Sequence, residues 1–175
     1  MSTNQPICTI VGAGEGLGRS LAKKFASEGF DIALISRSES TAEPILEMIQ
    51  QENTKVTARF IAADVTETKS LESAFSKIQT DWGEVSTLLY TARGEFIAYE
   101  PLDLPYEVLE KIFQIEVMGP FVAAKAVLPS MIERQQGHIF FSSATAAFRG
   151  SAKYPHYAVG KFGMRALSQS LAKAY

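Results

Sequence analysis

Tyr157 and Lys161 stand four residues apart, a spacing that puts a titratable hydroxyl and a cation on one face of a helix. Two further hydroxyls, Ser142 and Ser143, close an apolar run upstream of that pair. Near the start lies Gly12-Ala13-Gly14-Glu15-Gly16-Leu17-Gly18, with four glycines in seven residues. A turn so poor in side chains lets the backbone approach a ligand closely. The helix opening behind it adds free N–H groups and a positive dipole end, which together suit a pyrophosphate. The glycines fit G-x-x-x-G-x-G through Gly12, Gly16 and Gly18; the spacing G-x-G-x-x-G fails because Leu17 occupies its last position.

A dinucleotide site that selects NAD carries an acidic residue on the ribose 2′-hydroxyl, about 20 residues beyond the glycines. Here the second apolar run ends in Ser36-Arg37-Ser38, without a carboxylate at its tip. A carboxylate would repel a 2′-phosphate, whereas Arg37 can grip one through two parallel hydrogen bonds. The pattern points to NADP(H).

Five short apolar or β-branched runs must position these groups: Ile7–Val11, Asp31–Ser36, Val56–Ala62, Thr87–Thr91 and His138–Ser142. The unbroken apolar character of the first predicts a strand covered on both faces, as in a parallel sheet. Helical patterns fill the gaps at Leu17–Glu28, Thr41–Glu52, Thr66–Gln79, Tyr106–Arg134 and Pro155–Tyr175. Thr66 is the expected N-cap of the third. This alternation predicts an α/β fold, a doubly wound parallel sheet of Rossmann type with strand order 3-2-1-4-5. Ligands of such sheets bind at the carboxyl ends of the strands, where the glycine turn and the two serines both fall.

The bulk composition is that of a globular domain, 46% hydrophobic and 21% charged over 175 residues, with a net charge of −2. That balance argues against nucleic acid or an anionic membrane surface as a partner. The single cysteine, Cys8, cannot form an internal disulfide, and the polar start Met1 to Pro6 does not resemble a signal peptide. No stretch reads as a membrane span, so the expectation is a soluble, cytoplasmic protein. His138 and His156 lack companions at metal-ligand spacing, and no metal is expected.

Taken together, these motifs resemble the short-chain dehydrogenase/reductase family in its single-domain G-x-x-x-G-x-G form, over essentially the whole chain. Gly12-x-x-x-Gly16-Leu17-Gly18 matches the family's cofactor loop, with Gly14 and Glu15 inside it. Asp64-Val65 looks like the adenine-binding aspartate and its neighbour, and Ala92 is the kept residue of the loop after strand four. Gly137-His138-Ile139-Phe140-Phe141-Ser142-Ser143 is similar to the strand that ends in the catalytic serine, and Tyr157-x-x-x-Lys161 to the catalytic pair. The resemblance implies that Ser143 holds the substrate oxygen and that Tyr157 is the general acid in reduction and the base in oxidation. It further implies that Lys161 binds the nicotinamide ribose. A tyrosine with its ordinary pKa of about 10 is a poor base, and Lys161 one turn away is expected to lower that value.

The sequence departs from the family at four places. Val11 replaces a threonine before the first glycine. Tyr90-Thr91-Ala92-Arg93 stands where the family has Asn-Asn-Ala-Gly, so Arg93 either contacts phosphate or obstructs the cofactor's path. Glu116 replaces the active-site asparagine whose main-chain carbonyl holds a relay water. Pro120 has no N–H and, in an α-helix, leaves the Glu116 carbonyl free for the same task, with the carboxylate adding negative charge near Lys161. The chain ends at Tyr175, before the family's further strands and substrate lid, so residues 1–175 read as a single dinucleotide-binding domain with one open sheet edge.

The expected activity is hydride transfer between NADP(H) and a small carbonyl or alcohol substrate. The competing reading is a non-catalytic nucleotide-binding or dimerisation module derived from such an enzyme. A homo-oligomer, dimer or tetramer, is expected through the long helices, using Ile112, Ile115, Phe121, Leu167 and Leu171. Phe148 and Tyr154 suggest an apolar wall near the substrate.

Overall fold

A computed structural model of the chain describes residues 5–52 and 55–175; the polar start Met1 to Asn4 lies outside them. Strand β1 (Ile7–Val11) is buried at every position and runs through the middle of a five-stranded parallel sheet. On one side it pairs with β2 (Asp31–Ser36), which pairs with β3 (Ala58–Ala62); on the other it pairs with β4 (Val85–Tyr90), which pairs with β5 (His138–Phe141). The order is β3-β2-β1-β4-β5, as the sequence predicts. Val11 is level with both Ile35 and Tyr90, so three strands end together where the sheet's winding direction switches. That crevice is the ligand position of doubly wound folds.

The apolar runs of the strands feed two cores. Cys8, Ile10, Ile32 and Leu34 point to one face and pack on Ala22, Ala26, Ala42, Ile45 and Ile49, from α1 (Leu17–Ser27) and α2 (Glu39–Glu52). Val11, Ala33, Ile35, Leu88 and Tyr90 point to the other. There they meet Leu71, Phe75 and Ile78 of α3 (Thr68–Asp81) and Val122, Ala123 and Val127 of α5 (Gly119–Arg134). Each large side chain removed from water in this way contributes about 1.5–3 kcal/mol before entropy is charged against it. At the outer edge, β5 alternates between exposed and half-buried positions, and Phe140 is 53% exposed.

Helix α3 starts two residues later than expected, with Glu67 rather than Thr66 at its N-cap. Thr66 instead gives its N–H and hydroxyl to Asp64 Oδ1, at 2.9 and 2.8 Å, which holds the turn into the helix. The long helical pattern forms one continuous helix, but not a uniform one. α4 (Tyr106–Phe113) passes into a π turn at Gln114–Met118 before α5 begins. In that wider register Gly119 N–H bonds Gln114 O, so the carbonyl opposite Pro120 is that of Ile115. Tyr90 Oη donates to this carbonyl at 2.6 Å. In this register Pro120, which has no N–H, leaves the Ile115 carbonyl to be answered by Tyr90.

Within Tyr106–Arg134 an 18-residue stretch reaches a mean hydropathy of 1.4, so this helix is long and apolar enough to cross a membrane, contrary to the expectation from sequence. Half of that stretch is buried inside the domain, packed on α3 and β4, so it serves as a core helix.

Candidate active site

The carboxyl end of β5 and the first turns of α6 (Pro155–Ala174) meet the π turn, and Lys161 is the side chain all three share. It is 3% exposed. Its Nζ donates to Ser142 O at 2.8 Å and lies 2.7 Å from Glu116 Oε2, whose side chain is fully buried. The contact with Glu116 is an ion pair out of line with a hydrogen bond, since neither carboxylate oxygen accepts one of good geometry among the described residues. The π turn and α6 come this close because position 160 is glycine: a Cβ there would stand 2.8 Å from both Glu116 Cβ and Ile112 Cγ2. Ser143 is exposed one residue beyond the Ser142 carbonyl, and its hydroxyl makes no hydrogen bond among the described residues.

Tyr157 is half-buried one helical turn before Lys161, whose Nζ sits 5.6 Å from its ring centre. Its ring meets the edge of Phe96 at 5.1 Å, and Phe96 stacks flat on Tyr154 at 4.2 Å. The phenol is pushed above its ordinary value, first by burial and then by the negative charge of Glu116, with Arg93 opposing. The expected lowering by Lys161 is thus reversed. A cation already paired with a buried carboxylate has little field left to favour a phenolate. Tyr90 is raised too, by burial and then by Glu116 and Asp64, which keeps it the donor that Ile115 requires.

The glycine turn stands at the same carboxyl edge of the sheet, following β1, two strands from β5. Gly12 has φ +88°, and a Cβ on it would come within 2.3 Å of Ala92 N, so the β4 loop rests directly on the turn. Thr91 Oγ1 donates to Val11 O and Gly12 O at 3.0 and 3.1 Å and fastens the two together. Around Gly14 and Gly16 nothing stands within 4 Å of where a Cβ would be. α1 then begins at Leu17 without a side-chain cap. An open glycine cradle at an uncapped helix start fits a dinucleotide's pyrophosphate.

Arg37 is exposed just past β2, within reach of Asp64. Partial burial works against the charge on Asp64, but the two bonds from Thr66 and the cations Arg37 and Lys111 outweigh it and hold the carboxyl below its ordinary range. Arg93 is exposed and has no ion-pair partner among the described residues.

The sequence pattern of one family, described as short chain dehydrogenase, matches residues 6–175. The chain belongs to the short-chain dehydrogenase family. A short chain dehydrogenase of Pseudocercospora fijiensis is 31% identical over 166 residues, which cover 93% of this chain and 52% of that protein. The chain thus spans about half the length of that curated relative, and 71% of an uncharacterized oxidoreductase of Staphylococcus epidermidis that is 25% identical to it. Among solved structures, a metagenomic short-chain oxidoreductase in complex with NADP superposes with a TM-score of 0.91 at 20% identity, covering 97% of this chain and 75% of that one.

Seen as a short-chain dehydrogenase, the chain brings together Tyr157, Lys161, Glu116 and the Ser142–Ser143 strand end in one cluster, with the cradle of Gly12, Gly14, Gly16 and Ala92 at the same sheet edge. Glu15, Leu17 and Gly18 belong to the same cradle, whereas Val65 follows β3 and packs half-buried on the core. Ile112 and Ile115, expected to face a partner chain, are instead 1% and 7% exposed and pack against the loop at Gly94. Exposed apolar side chains on these helices include Phe113, Phe121, Val159 and Phe162. Sequence reasoning missed Phe96, Gly160 and the hydroxyl of Tyr90. The signal for the last was a tyrosine ending a strand otherwise of apolar and small residues.

Proposed function

We propose that this chain is the cofactor-binding and catalytic domain of an NADP(H)-dependent reductase of carbonyl compounds, or of the alcohol oxidation that reverses it. The observation that carries this reading is Lys161, held by Ser142 O and Glu116 beneath Tyr157, at the same sheet edge as an open glycine cradle. A lysine ammonium has three donors. One is donated to Ser142 O while Glu116 answers the charge, which leaves donors for the hydroxyls of a bound nicotinamide ribose. When bound, the nicotinamide supplies the hydride.

The chain's own residues handle the proton. Ser143 Oγ, without a partner among the described residues, hydrogen-bonds the substrate oxygen, and Tyr157 gives that oxygen a proton in reduction or takes one in oxidation. Phe96 and Tyr154 form an apolar wall beside the tyrosine. Arg37 pairs with the 2′-phosphate, and Asp64 with Val65 borders the adenine; a relative in fold bound to NADP supports this choice. Association into a homo-oligomer uses Phe113, Phe121, Val159 and Phe162 on the long helices, and the lone buried thiol suits the cytoplasm.

The second reading, a non-catalytic nucleotide-binding module, is favoured by Arg93, which stands exposed where the cofactor must pass. Titration with NADPH and NADH, followed by nicotinamide fluorescence, tests the cofactor half. Binding of NADPH in preference to NADH, weakened about tenfold or more in Arg37→Ala, is the expected result. A folded chain that binds neither sinks both the catalytic reading and the nucleotide-binding one.

A further inference from the structure

We propose that Glu116 is a positioning residue that neutralises Lys161 and so keeps Tyr157 in its protonated form through the neutral range, poising the site to reduce carbonyls. The inference deepens the functional reading above and rests on it for the identity of the proton donor.

Three features of the fold place Glu116 in this role. The π turn at Gln114–Met118 points its side chain inward, and Gly160 leaves the space that the side chain fills. The carboxylate is fully buried and 2.7 Å from an ammonium that is itself 3% exposed, so solvent screens the pair little. Neither carboxylate oxygen has a well-formed hydrogen bond among the described residues, which leaves Lys161 as the only cation answering this charge at contact distance.

The charges facing Tyr157 can be taken element by element. On α6 itself are Lys161 and His156; His156 is buried with its ring edge-on to Tyr99 and its nitrogens without a hydrogen bond among the described residues. The π turn contributes Glu116, the β4 loop contributes Arg93, and β4 contributes Tyr90. Tyr154 precedes α6. Glu116 answers the charge of Lys161, and Arg93 is exposed and screened. Burial and the carboxylate then prevail, and both favour the phenol.

The consequence is a difference between the two directions. In reduction the Tyr157 O–H bond breaks, its proton forms the O–H of the product alcohol, and hydride from the nicotinamide forms the C–H bond. That step needs the phenol, which is the form present. Oxidation needs the phenolate, which even an ordinary tyrosine supplies in only about one molecule in a thousand at pH 7. The overall equilibrium is unchanged; what moves is the pH at which each direction runs.

The test is a pH titration of the ligand-free chain labelled with 13C at tyrosine Cζ, read by NMR, with Tyr157→Phe assigning the resonance. In the native chain Tyr157 should titrate above the ordinary tyrosine value. In Glu116→Gln it should fall by about one unit or more, because the charge on Lys161 is then unanswered. Glu116→Asn, smaller and also neutral, serves if the glutamine variant does not fold, and Glu116→Asp should stay near the native value. A native Tyr157 titrating at or below its ordinary value, or a neutral variant with an unmoved resonance, overturns the proposal. Because this measurement involves neither cofactor nor turnover, its failure is distinct from failure to bind NADPH.

Discussion

Gly160 and Glu116 touch across two helical segments at a distance that no other residue at 160 would permit, since a Cβ there would lie 2.8 Å from Glu116 Cβ. The buried carboxylate beside Lys161 therefore depends on the absence of a side chain one position earlier on α6.

Gly160→Ala should accordingly destabilise the chain by about 1–3 kcal/mol, the usual penalty for an added methyl in a filled interior. Urea unfolding measures it through a lower midpoint at an unchanged slope. A variant as stable as the native chain would mean that the two segments can separate freely.

Tyr90→Phe removes a buried donor and leaves the Ile115 carbonyl without one, at a cost of about 1–3 kcal/mol. The pH dependence has a definite sign. The folded chain holds the Tyr90 proton above the pH at which the unfolded chain releases it, so this stability is fully present below about pH 10 and is lost as pH rises through the raised folded value. Thermal melts between pH 8 and 11 should show a smaller alkaline loss in Tyr90→Phe than in the native chain.

Gly12→Ala meets two obstacles together, a φ of +88° and a Cβ 2.3 Å from Ala92 N. A loss of about 2–4 kcal/mol is expected from the backbone strain and the clash combined. NADPH binding should weaken with it, because the β4 loop would be lifted off the cradle. Denaturation and fluorescence titration of the same sample check both effects, and unchanged values for both would refute the close fit.

Cys8 is fully buried in β1, and burial raises its thiol far above the ordinary range. It should not react with a thiol-specific chromogenic reagent in the native chain and should react completely, at one equivalent, in guanidinium. Fast native labelling would mean that the central strand opens readily.

Features that depend only on neighbours along the chain were legible in the residues alone. The apolar runs Ile7–Val11 and Asp31–Ser36, the glycine turn at 12–18 and the four-residue spacing of Tyr157 and Lys161 carry their own geometry, because helix and strand periods are local properties. From these the parallel sheet, its strand order and the family were all readable. The tertiary structure decided the rest. The π turn arises where Tyr90, more than twenty residues upstream, supplies the hydrogen bond that Pro120 cannot. It carries Ile115 into the interior and Glu116 onto Lys161, so the direction of the Tyr157 shift is the reverse of what its nearest cation implies. A helical spacing reports which groups share a face. How strongly a charge is felt depends on burial and on partners brought from distant parts of the chain, and only the packed fold places those.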